Sequence, residues 1–155
     1  MDIELTYDLI GSRLCGIGSA VITYDRLGSR PRALGSWTIE FDRLGTRLRF
    51  VGATEITYSR WANLPRTVGQ WRCEHSRFAS RLLSIGPHEL RYDQLGGRVR
   101  AIGPLEIFYD RLGTRPIRVR LPGEDELLPD DLLLLLFLVL YWEEEREAAA
   151  AARRG

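Results

Sequence analysis

A ring side chain returns every 17 residues along this chain, at Tyr7, Tyr24, Phe41, Tyr58, His75, Tyr92 and Tyr109. The register holds through seven units, from Glu4 to Pro122, without an insertion or deletion. A period that strict restricts the chain to repeat architectures. One small unit cannot bury its apolar face alone and relies on its neighbours to do so.

Each column of the repeat has a physical reason. Two residues before the ring stands Leu5, Ile22, Ile39, Ile56, Cys73, Leu90 or Ile107. A strand turns that residue to the same face as the ring. After the ring comes Asp in five units and Ser59 or Ser76 in the other two, usually followed by Arg, Leu and Gly. Asp-Arg-Leu-Gly is a type I turn signature, in which Asp caps the first position and Gly takes positive φ at the fourth. Gly28, Gly45, Gly96 and Gly113 are therefore expected in the left-handed region. A second apolar column (Ile17, Leu34, Val51, Val68, Ile85, Ile102, Val119) runs ahead of another glycine, at positions 18, 35, 52, 69, 86 and 103. Glycine at this density excludes helix, so each unit reads as two short strands and two turns.

The core Tyr-Asp-x-x-Gly, at Tyr24-Asp25…Gly28, Tyr92-Asp93…Gly96 and Tyr109-Asp110…Gly113, resembles the YD repeats of Rhs-type and teneurin-like proteins. The resemblance implies a continuous sheet, built hairpin by hairpin and wound into a shell. We therefore expect an all-β repeat protein whose seven two-strand units form a curled antiparallel meander. A β-solenoid, with like columns stacked about 4.8 Å apart, is the alternative. Pro31, Pro65 and Pro116 lack a ladder donor and sit awkwardly in either arrangement. Simple alternation would also carry Arg30 and Arg32, or Arg98 and Arg100, onto the apolar face unless a bulge intervenes.

Residues 1–155 are expected to form one domain, with repeats over 4–122, an acidic linker over 123–128 and a helix over 129–152. Leu132–Trp142 is apolar on every side, Asp130 and Asp131 suit a helix N-terminus, and five consecutive Ala follow. The apolar run would span roughly 16 Å, about half a bilayer core, so no transmembrane segment is expected. It needs burial inside the curled sheet, over the end of a solenoid, or in an oligomer. A barrel wrapped on such a helix is similar in outline to Tubby and scramblase-like folds.

Every one of the 22 basic residues is Arg, as a GC-rich, bacterial-like composition gives. Between Glu4 and Pro122 stand 19 Arg and 11 acids, whereas 123–155 holds 3 Arg and 9 acids. Such asymmetry points either to a polyanion partner or to a tail packed on its own body. The first residues carry neither a basic segment nor a long apolar run, so no secretory leader is expected. A cytoplasmic location with Cys15 and Cys73 reduced follows.

No residue set reads as catalytic, cofactor-binding or metal-ligating. Cys73 and His75 fill the apolar and ring columns, and no further ligand has zinc-like spacing. Gly16-Ile17-Gly18-Ser19 is too short for a phosphate loop, and turn capping accounts for the repeated Asp. Candidate contacts for a partner or an anion are Arg26, Arg43, Arg60, Arg77 and Arg111, with Trp61, Trp71 and His88 in and beside the divergent fourth and fifth units. A second Arg column, at 13, 30, 47, 81, 98 and 115, can instead pair with Asp or cover a Tyr face. The expected function is a non-enzymatic structural or protein-interaction scaffold, recruiting a protein partner or a second copy through sheet edges or the helix. The alternative is an anion-binding module, for nucleic acid or anionic lipid headgroups, acting through the Arg columns.

Overall fold

The computed structural model describes every residue except 9–12, 27–29, 61–63, 79–80, 95–96, 114, 124–126 and 155. Its strands are β1 (Asp2–Tyr7), β2 (Leu14–Ile17), β3 (Ala20–Tyr24), β4 (Pro31–Leu34), β5 (Trp37–Phe41), β6 (Leu48–Val51) and β7 (Thr54–Tyr58). They continue as β8 (Pro65–Val68), β9 (Trp71–His75), β10 (Leu82–Ile85), β11 (His88–Tyr92), β12 (Val99–Ile102), β13 (Leu105–Tyr109) and β14 (Pro116–Arg120). Each pairs antiparallel with the next, and β14 returns to β1 with Ile3 opposite Val119. The meander is therefore a closed 14-stranded barrel, not a solenoid. Closure also corrects the expectation that sheet edges recruit partners, because every described strand has a neighbour on both sides.

Two kinds of turn alternate and give the barrel two different rims. On one rim, two-residue turns such as Gly18-Ser19 and Gly35-Ser36 join paired strands. Pro87 and Pro104 each follow a glycine of positive φ in these turns. That order fits the type II′ geometry, whose twist matches that of the strands. On the other rim run six-residue loops. In one of them Asp42 N–H donates to Arg47 O (2.8 Å) and Gly45 N–H to Asp42 O (2.8 Å). This is the turn expected from Asp-Arg-Leu-Gly, and Gly45 and Gly113 take φ of +71° and +67°. Gly28 and Gly96, expected to do the same, lie outside the described residues.

A bulge beside each loop removes the conflict that proline and arginine pose. Ile22 faces Leu34 and Thr23 faces Ala33, but Tyr24 faces Pro31, which leaves Arg32 as the extra residue. The same shift recurs where β5 meets β6, β7 meets β8, β11 meets β12 and β13 meets β14. Arg32, Arg49 and Arg100 consequently stand exposed, while Pro31, Leu48 and Val99 beside them stay buried. Each proline opens its strand at the bulge, where proline is tolerated.

The two apolar columns meet across the barrel wall, Ile22 against Leu34 and Ile39 against Val51, and form a buried girdle. Fourteen strands enclose more space than wall side chains fill. The helix α1 (Asp130–Arg154) occupies it, with Leu132 and 134–140 buried on every face. Asp130 and Leu134 share a cavity wall with Trp37 and Trp71 at the two-residue-turn rim. Tyr141 and Trp142 lie beside Tyr58 and His75 at the loop rim. At 1.5 Å per residue this 25-residue helix is roughly 37 Å long. The strands are at most 6 residues, or about 20 Å, so the end of α1 projects through the loop rim. Among the described residues no helix is long and apolar enough to cross a membrane. Outward strand positions carry exposed charges, including Glu40, Glu55, Arg72, Glu74, Glu89 and Arg91, the reverse of a lipid-facing barrel wall.

Candidate functional site

The loop rim carries the most organised chemistry in the molecule. The Tyr58 hydroxyl donates to Leu48 O (2.7 Å), Tyr92 to Leu82 O (2.6 Å) and Tyr109 to Val99 O (2.6 Å), each reaching a residue ten positions back. Tyr7 donates to Pro116 O (2.5 Å), the same relation carried across the barrel closure. Onto each ring is laid a guanidinium from the loop before it. Arg13 lies 4.2 Å from the centroid of Tyr24, Arg47 4.9 Å from Tyr58, Arg81 4.3 Å from Tyr92, and Arg115 4.2 Å from Tyr7. Several of these arginines also bind the acid at the head of their own loop, Arg13 to Asp8 (2.9 Å) and Arg47 to Asp42 (3.0 Å). The Arg47 hydrogen bond, helped by the Thr46 N–H, holds the Asp42 carboxyl down to about 2. The column at 13, 30, 47, 81, 98 and 115 is thus spent on the molecule's own rings and acids.

The other column faces outward. Arg26, Arg43, Arg60, Arg77 and Arg111 are all exposed on the loops. Next to three of them stand Leu44, Phe78 and Leu112, which are 85%, 99% and 85% exposed. The loop rim is therefore a crown of paired guanidinium and apolar tips. Trp61, whose column is that of these tips, lies outside the described residues. Trp71 and His88 do not join the crown. They meet edge-to-face (centroids 5.2 Å apart, planes at 78°) at the heads of β9 and β11, on the two-residue-turn rim. The candidate set read from the sequence is therefore split between opposite ends of the barrel, because the 13 residues from His75 to His88 traverse its height.

A basic residue of the acidic tail fastens the helix to the barrel mouth. Arg146 Nη2 donates to Glu143 Oε2 (2.7 Å) and to Gly97 O (3.2 Å), which ties α1 to a loop. Burial in the mouth raises the Glu143 and Glu144 carboxyls above their ordinary range. Arg81 and Arg115 of the barrel offset a small part of that rise.

One place breaks the pattern of covered rings. Leu64 stands in the Arg column and His75 in the ring column, and there the mouth opens into a cavity of about 270 Å³ beside Trp142 and Tyr141. Ser76 replaces the loop acid and accepts the Arg81 N–H (3.0 Å), while Arg81 Nε and His75 Nε2 have no partner among the described residues. Burial lowers the His75 pKa, which disfavours the charged imidazole. Cys73 is buried in the core cluster with Ile56, its thiol pushed up to about 11 by burial. The sequence signals for this cavity were the missing Arg at position 64 and the divergence of the fourth and fifth units; that they meet in one space depends on the barrel. No family model, curated protein or solved structure matches the chain.

Proposed function

We propose that this chain is a non-catalytic protein-interaction scaffold whose working surface is the loop crown. In this reading seven 17-residue hairpin units, YD-like in their turns, hold the tips in a ring around α1, and the chain works in the cytoplasm with both cysteines as thiols. The observation that carries it is the exposure of Leu44, Phe78 and Leu112 beside Arg43, Arg77 and Arg111. Large apolar and aromatic side chains alternating with Arg are the composition of interface centres, where the apolar part supplies affinity and Arg selects an acidic partner. The barrel wall also exposes apolar side chains, Val21, Leu83 and Ile117, but they stand on separate strands and are less exposed than the crown tips.

Two triple variants test the reading, R43Q/R77Q/R111Q and L44S/F78S/L112S. All six positions are solvated, so both variants should keep the parent melting temperature. A partner co-purified with the parent chain, or a second copy seen by sedimentation, should be lost from both. The regular spacing of the crown arginines favours a second reading, a polyanion site. That reading requires heparin or anionic-vesicle retention, steep in salt, which falls in the Arg variant alone and survives in the apolar one. Retained association in both variants would remove the crown from the function.

A further inference from the structure

The mouth of the barrel repeats one arrangement, a guanidinium laid on the ring of the next loop, and omits it once. Arg13, Arg30, Arg47, Arg81, Arg98 and Arg115 each cover a ring. The equivalent residue at position 64 is Leu, the ring it would cover is His75, and the space between them is open as the cavity of about 270 Å³. We propose that this cavity binds a planar cation, a guanidinium or amidinium group, in the place that arginine occupies at the equivalent positions of the same mouth.

The walls fit that chemistry. Trp142, Tyr141 and Tyr58 join His75 in supplying aromatic surface, and a delocalised cation over such rings gains most when it leaves water. Burial disfavours the charged form of the imidazole, which limits its repulsion of a cation. Glu145 and Glu143 line the same cavity, and the one helix arginine in that lining, Arg146, is paired with Glu143 at 2.7 Å. Of the two flanking barrel arginines, Arg47 is held by Asp42 at 3.0 Å. Arg81 lies over Tyr92, and its charge reaches Glu143. Asp42 and Glu143 thus hold Arg47 and Arg146, Arg81 lies on the Tyr92 ring, and Glu145 is the carboxylate of this lining left to face an added cation. The ligand is a free amidine or guanidine, or the arginine side chain of a partner. This inference does not depend on the crown, which lies on the outer side of the same loops.

The test titrates the full chain with benzamidine, with methylguanidinium and with a short neutral peptide carrying one Arg, using benzoate as the control. Binding is followed by NMR of Trp142 and His75 and by thermal shift. The cations should saturate, move both residues, leave Phe78 unmoved and raise the melting temperature with concentration, while benzoate does none of these. Leu64→Arg restores the internal cover; it should abolish the shifts and raise the melting temperature of the free protein. Glu145→Gln, on the exposed part of α1, should weaken binding several-fold with the fold intact, which keeps the proposal testable if the first variant does not fold. A peptide that binds more tightly than methylguanidinium assigns the site to a partner's arginine, and the opposite order assigns it to a free small molecule. Benzoate binding as tight as benzamidine, shifts that persist in folded Leu64→Arg, unchanged affinity in Glu145→Gln, or no saturable shift with any cation would each overturn it.

Discussion

The mouth tyrosines keep their phenols in a setting that favours the neutral form. Burial is the largest cause, and it pushes Tyr24, Tyr58 and Tyr92 from 10.0 up to about 12. Unfolded, the same phenols ionise near pH 10. The unfolded chain therefore loses its protons first as pH rises. The stability these groups contribute is complete below pH 10 and declines as pH climbs toward 12. Denaturant midpoints should hold level up to pH 10 and then fall, with phenolate absorbance appearing only as the barrel opens. Native phenolate formed near pH 10 with no loss of stability would refute the buried setting. The inward direction of these rings was legible in the sequence, because a spacing of two puts Tyr24 on the face of Ile22. Their acceptors were not: Leu14 O is ten residues back from Tyr24 on the neighbouring strand, and for Tyr7 the acceptor is Pro116 O of the last strand, β14.

Among the elements, the two-residue turns separate backbone strain from packing. Gly35 and Gly86 have nearly the same φ, +58° and +57°. A Cβ at Gly35 would meet only the Ala20 Cβ, at 4.0 Å, whereas one at Gly86 would press to 2.6 Å from Cγ of the Trp71 indole. Gly35→Ala should therefore cost the left-handed penalty alone, about 1 kcal/mol. Gly86→Ala should cost that plus displacement of the indole, about 2–3 kcal/mol in all. Urea unfolding of both variants measures the difference, and equal losses would mean that Trp71 yields freely. Local chemistry of this kind is what the sequence discloses best. Asp42 to Gly45 forms the expected turn because its donors and acceptors lie within four residues. The bulge was visible only as the condition that would reconcile Arg32 with an apolar Pro31 and Leu34. Meander and solenoid could not be told apart by columns, since either stacks Ile22, Ile39 and Ile56 at one level.

At the scale of the whole molecule, wall and filling depend on each other. The wall is made of strands of only 4 to 6 residues, and its buried girdle has no second layer except α1. Wider barrels keep an open lumen unless something occupies it, and here the lumen is lined by Ile, Leu and Val, which water would not fill favourably. The sequence made the need for burial plain, because Leu132–Trp142 has no polar face; where the run would be buried depended on the closure of β14 onto β1. Eight helix side chains are buried in the barrel. At roughly 1.5–3 kcal/mol for each large apolar side chain, their loss matches or exceeds the net stability of an ordinary domain, about 5–15 kcal/mol. A chain that ends at Leu128 should therefore be insoluble or lack a cooperative transition, and its apolar girdle should bind a hydrophobic dye. Refolding that chain with a separate peptide of residues 129–155 should restore a soluble product and a single melting transition, because the helix needs the barrel as its solvent and not the short linker as its tether. A truncated chain that is soluble, monomeric and cooperatively folded on its own would show that the wall closes without its filling, and that α1 enters a barrel already made.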